Sequence, residues 1–122
     1  MAATIIADRQ LSTKIHEKVI TFGINGITTG DRLDTSIAVP FNCQIIKWKI
    51  STAVAMDCDF YVKNNGSIIT GTIRPAMTAS TFRGGSNLTG WSPVLAENDI
   101  IMVSVISKSL SDKAILQLVV RI

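Results

Sequence analysis

A chain of 122 residues, 47% hydrophobic and 17% charged, is long enough for one buried core and too apolar to stay disordered. Its twelve basic residues outnumber nine acidic ones, for a net charge of +3, but they are scattered from Arg9 to Arg121 without a run or stripe, so no nucleic-acid partner is expected. No apolar stretch approaches the roughly 20 residues of a membrane helix, so no membrane partner is expected either.

Residues 1–13 read as an N-terminal arm, in which the apolar patch Ile5-Ile6-Ala7 precedes the polar Asp8-Arg9-Gln10. Such a segment either adds a strand to a neighbouring subunit or protein, or forms the first edge strand of its own sheet. The opening MAATIIADRQ lacks the basic and apolar regions of a secretion signal, which predicts synthesis in the cytoplasm without export by a signal of its own. Residues 14–122 are expected to form a single domain.

Period-two alternation then recurs along the chain, the signature of half-buried strands. Residues 18–24 place Ile20, Phe22 and Ile24 on one face, and Asn25-Gly26 offers a turn. A second strand is predicted at 35–39, closed by Pro40, which cannot donate to a ladder. Residues 44–52 set Ile46, Trp48 and Ile50 inward against Ile45, Lys47, Lys49 and Ser51, making Trp48 a core residue. After a turn expected at 54–56, residues 57–63 set Cys58, Phe60 and Val62 inward against Asp57, Asp59, Tyr61 and Lys63. Asn64-Asn65-Gly66 is a tight turn of the kind that needs positive φ.

A short strand is predicted at 67–73. The Thr-, Ser- and Gly-rich stretch from Arg74 to Asn87 reads as a long loop, with room for a helical turn near 78–81. Residues 99–107 alternate again, and 113–122 set Ala114, Leu116, Leu118, Val120 and Ile122 against Ile115, Gln117, Val119 and Arg121. Seven or eight short strands without a long amphipathic helix define an all-β fold, an antiparallel β-sandwich or jelly roll.

The chemistry-bearing residues are few. His16 is the only histidine, too little for a hydrolytic triad, and one His with two separated Cys does not make a tetrahedral zinc site. Asp57 and Asp59 lie about 7 Å apart on one strand face, a spacing that inverting glycosidases use, but they sit on an outer face with no sign of a cleft. The turn expected at 54–56 separates Cys43 from the residue opposite Cys58 by about 30 Å, too far for a disulfide. Cys58 is expected to be buried and Cys43 partly exposed. The glycines lack a phosphate-loop setting. No catalytic residue, cofactor or metal is expected, and the chain does not read as an enzyme.

From Val19 onward an ordered set of pieces carries a resemblance. It runs from ITFGINGITTGDR to Val39-Pro40-Phe41, Ile45-Ile46-Lys47-Trp48-Lys49-Ile50 and Asp59-Phe60-Tyr61-Val62-Lys63. Ile68-Ile69-Thr70-Gly71, Arg74-Pro75-Ala76-Met77-Thr78, Leu88-Thr89-Gly90-Trp91 and Glu97-Asn98-Asp99-Ile100 follow. In their order and spacing these pieces resemble a small β domain that recurs in tail, fibre and head-decoration proteins of tailed bacteriophages. The resemblance implies a β-sandwich, frequent homotrimeric assembly, a place on the virion head or tail, and the major capsid protein or tail proteins as partners. It implies no catalytic residues. The short turn at 63–66 departs from the long variable loops of receptor-binding members, which favours a structural role.

The expected function is therefore that of a phage virion structural protein, a head-decoration or fibre subunit. Ile5 and Ile6 of the arm and Ile45, Ile115 and Val119 on outer sheet faces are the candidate partner contacts. The alternative is an adhesin-like, receptor-binding module for host surface glycans, with Tyr61, Phe82 and Trp91 as stacking platforms.

Overall fold

The computed structural model describes residues 17–25, 29–109 and 113–122. The described residues form eight strands and no helix. They are β1 (Glu17–Ile24), β2 (Gly30–Ala38), β3 (Cys43–Asn64), β4 (Ser67–Ile68), β5 (Ala76–Gly85), β6 (Val94–Leu95), β7 (Ile100–Lys108) and β8 (Ala114–Arg121). All pairings are antiparallel, in the order β1-β8-β3-β7-β2, with β4, β5 and β6 also paired to β3. The all-β fold expected from the alternation is the fold observed. The arm at 1–13, with Ile5 and Ile6, and His16 lie outside the described residues, as does Gly26 of the first predicted turn.

The strand β3 organises the molecule. Its 22 residues would span about 70 Å if straight, several times the radius of a domain this size, so it must bend. β5 runs along one of its edges in both halves, pairing Trp48–Ser51 with Gly85–Phe82 and Cys58–Asp59 with Met77–Ala76. The opposite edge is therefore taken in succession, by β8 along residues 44–52 and by β7 along 58–64. The curled sheet thus has two layers. The first holds β1, β8, the first half of β3 and the second half of β5; the second holds β2, β7 and the remaining halves.

The bend falls between Ser51 and Met56, where five steps on β3 match two on β5 from Phe82 to Ser80. Residues 53–55 bulge outward there and are exposed. Consequently the turn expected at 54–56 is absent: two predicted strands are one strand that changes layers. A second irregularity follows on β5, where Ala79 adopts φ +44° and its N–H donates to Asp57 Oδ1 at 2.6 Å. The stretch read as a loop at 74–87 is thus a ten-residue strand.

The core lies between the layers. β1 contributes Phe22 and Ile24, β8 Leu116 and Leu118, β3 Trp48, Ile50, Phe60 and Val62, and β7 Ile101 and Val103. Asn65 at φ +50° and Gly66 at φ +87° make the expected turn, pairing Asn64 with Ser67. The predicted strand at 67–73 shortens to β4, after which the chain rises to cover the end of the core. There a Cβ on Gly71 would sit 2.7 Å from the Thr89 carbonyl oxygen, so only glycine lets the two segments touch. Trp91, buried beside them, donates its indole N–H to the Ile73 carbonyl.

Two polar side chains hold the second layer in register. In β2 the ladder shifts between Arg32 and Ile37, and the buried Thr35 hydroxyl donates to the Arg32 carbonyl at 2.6 Å. The same hydroxyl accepts from Val103 N–H at 3.0 Å, replacing the missing backbone partner. Asp99 gathers the loops at one end: its carboxylate accepts from Asn64 Nδ2, Asn65 Nδ2 and Ala96 N–H. These donors, the Asn64 side chain first, hold its carboxyl below the ordinary range.

Candidate assembly surface

The outer face of the first layer follows from strand register. One row runs Val19, Val119, Lys47 across β1, β8 and β3. The next runs Thr21, Gln117, Lys49, Gly84, and the third Gly23, Ile115, Ser51, Phe82, both reaching β5. Val19, Ile115 and Phe82 are 53%, 43% and 59% exposed. Large apolar side chains thus stand in the first and third rows of this face, with Thr21, Gln117 and Lys49 between them. Gln117 Nε2 lies 3.4 Å from Thr21 Oγ1. At the margin Arg121 donates to Glu17 at 2.9 Å, which holds the Glu17 carboxyl below its ordinary value.

The predicted contact residues divide on this face. Ile115 points outward as expected. Val119 also lies on the outer side but is largely covered, between Val19 and Lys47. Ile45 is a correction: it is 1% exposed and belongs to the core. The register between β3 and β8 shifts between Ile45 and Lys47, leaving Ile46 as the extra residue of a bulge. Alternation read back from Trp48 is inverted across that bulge, so Ile45 turns inward.

The outer face of the second layer is different in kind. Lys63 pairs with Asp31 at 2.9 Å, and Arg74 forms a bidentate pair with Asp59 at 2.7 and 2.8 Å. The Arg74 guanidinium also lies 5.3 Å from the centroid of the Tyr61 ring, so cation and carboxylate occupy the space beside that aromatic. Asp57 and Asp59 are both committed to structural partners, Ala79 N–H and Arg74 respectively.

The three aromatics considered as stacking platforms do not meet. Tyr61 is on the outer face of the second layer beneath Arg74, Phe82 is on the outer face of the first, and Trp91 is in the core. Cys43, expected to be partly exposed, is buried, as is Cys58. Burial, with Asp59 and Asp57 adding their charge, pushes the Cys58 thiol up to about 11, which keeps it protonated and unreactive at neutral pH.

Sequence reasoning missed Phe82 as part of this face. It assigned 74–87 to a loop, and an edge strand paired on one side leaves weak periodicity. No protein-family model matches the chain, and no curated protein matches it significantly.

Proposed function

We propose that this chain is a bacteriophage virion structural protein, a head-decoration or fibre subunit that assembles as a symmetric trimer through the outer face of the first layer. The observation that carries the reading is the contrast between the two outer faces. The outer face of the first layer exposes Val19, Ile115 and Phe82 around the uncharged Thr21 and Gln117, with no described element covering them, whereas the outer face of the second carries two ion pairs beside the exposed Ile68 and Ile100. The ordered phage-like pieces from Val19 onward supply the class of particle.

The charge on that face favours a threefold contact over a twofold one. It carries Lys47 and Lys49 with only Glu17 in opposition, already paired to Arg121. A twofold axis would set this face against itself and bring the lysines together, whereas a head-to-tail contact around three copies lets it meet a different surface. Four strands of about eight residues cover about 500 Å² in plan, short of the roughly 800 Å² per partner of a standard interface. Residues 1–13, with Ile5 and Ile6 as apolar contacts, supply the remainder.

Light scattering on the full chain tests this. A mass of three times 13.2 kDa is expected, falling to the monomer in the double variant Ile115→Asp/Phe82→Asp. A full-length monomer at micromolar concentration, or a trimer indifferent to both substitutions, would overturn the assignment.

A further inference from the structure

Among the described residues β5 pairs with β3 alone, which leaves its other edge open. The regular run of that edge is short. Residues 82–85 pair in step with β3 from Ser51 back to Trp48, and the ladder breaks beyond them at the bend. On the outer side stands Phe82, 59% exposed. On the inner side Gly85 pairs with the core residue Trp48, where a Cβ would lie 3.0 Å from the indole ring, so the strand offers that ring no side chain. Arg83 pairs with the core residue Ile50, which places it on the same inner side, at the margin. It is the single charge of β5 and forms no ion pair among the described residues. An edge of this kind suits an added strand that supplies side chains to both faces.

Of the chain outside the described residues, only 1–16 is long enough to be that strand. It carries Thr4-Ile5-Ile6-Ala7-Asp8-Arg9, a β-branched apolar run followed by charge. Consecutive isoleucines in a strand point to opposite faces, so they fit an edge with an aromatic on each side, Phe82 and Trp48. All pairings in the fold are antiparallel, and one antiparallel register sets three pairs at once. With Ile6 opposite Gly85 at the Trp48 margin, Asp8 falls opposite Arg83 on the inner side and Arg9 opposite Phe82 on the outer. Directly opposed residues stand about 5 Å apart, within reach of an Asp–Arg pair.

We infer that residues 5–9 of one copy add as an antiparallel strand to β5 of a neighbouring copy, Asp8 pairing with Arg83. The donor is a second copy because the chain's own arm does not reach. The first layer runs β1-β8-β3-β5, so the added strand lies four strand spacings from β1, and Arg9 opposite Phe82 lies about seven residues lengthwise from Glu17. That is about 29 Å along the sheet, whereas the steps from Arg9 to Glu17 cover about 26 Å in extended chain. The added strand also runs away from the Glu17 end, so an own-copy connection has to reverse as well. Contacts passed from each copy to the next close a ring, so the inference rests on the trimer reading and specifies which strand receives the arm.

The test is amide hydrogen exchange on the full-length, ¹⁵N-labelled chain, read by NMR on a sample whose mass is set by light scattering. In the trimer, the amides of residues 82–85 that face away from β3 should exchange slowly. Asp8→Arg or Arg83→Asp alone should speed them about tenfold or more, the loss expected for one charged hydrogen bond. The double variant Asp8→Arg/Arg83→Asp should bring them back to within about twofold of the parent, because it restores the pair with its sign reversed. In a mixture of ¹⁵N-labelled and ¹³C-labelled chains, ¹⁵N-bound amides of β5 should show contacts to ¹³C-bound protons of the arm. A trimer whose edge amides exchange as fast as those of exposed loops overturns the inference and leaves the assembly reading standing. So does a double variant no slower than the single ones, or a mixture in which arm contacts arise only within one copy. A full-length monomer overturns both.

Discussion

Because β3 belongs to both layers, the two halves of the molecule should unfold together, and a cavity cut in either half should lower one common transition. Phe60 in the second layer and Ile50 in the first are both fully buried on this strand. Truncating Phe60 to Ala should cost about 3–5 kcal/mol, and Ile50 to Ala about 2–5 kcal/mol, in lost transfer energy plus the cavity left behind. At about 2.1 cal/mol/K per residue, a chain of 122 residues has an unfolding entropy of about 0.26 kcal/mol/K. A loss of 4 kcal/mol then lowers Tm by about 15 °C.

Differential scanning calorimetry at fixed protein concentration is the assay, with the ratio of calorimetric to van't Hoff enthalpy as the check on cooperativity. Each variant should show one peak, shifted as a whole, with that ratio near one. Two separated peaks, only one of which moves in each variant, would refute the shared-strand argument. A shift of less than about 4 °C in Phe60→Ala would refute the assignment of Phe60 to the centre of the core, since about 1 kcal/mol is too little for that cavity.

Thr35→Val removes the hydroxyl that accepts from Val103 N–H in the β2 bulge; a loss of about 1–3 kcal/mol is expected by urea denaturation, with faster exchange of that amide. Ala79→Gly relieves a non-glycine residue held at φ +44° and should stabilise by up to about 1 kcal/mol in the same assay, because only glycine adopts that conformation without a Cβ penalty. Asp99 has a folded pKa below its ordinary 3.8, so its carboxylate contributes stability at all pH values above that figure and loses it as pH falls through the folded value. Asp99→Asn should therefore lower Tm at pH 7 and converge with the parent once pH falls below the folded value, as read by circular dichroism melts.

Much of this architecture was legible because β1, β7, β8 and each half of β3 bury one side and solvate the other, and burial of one side is what period-two alternation encodes. Phe22, Trp48, Phe60 and Leu118 were placed correctly on that ground alone. The failures share a cause. A bulge shifts the phase without altering composition, which inverted Ile45. The bend at 53–55 looks like a turn because Ala53, Val54 and Ala55 are exposed in succession. β5 is held to β3 by backbone hydrogen bonds along one edge, so its Thr, Ser and Gly side chains carry little pattern. Of the candidate surface, Ile115 was visible from alternation, while Phe82 became visible only once β5 was a strand.

One feature of β5 limits what can be added to its open edge. Among the described residues β5 pairs only with β3, so its other edge is open along a strand with no proline and a single charge, Arg83, the profile of a template for runaway strand addition. The left-handed residue Ala79 breaks that template. It divides the edge into two short rows pointing along different layers, so an incoming strand zips along one and is turned away at the bend. An open edge divided in this way can take one short added strand while resisting indiscriminate stacking.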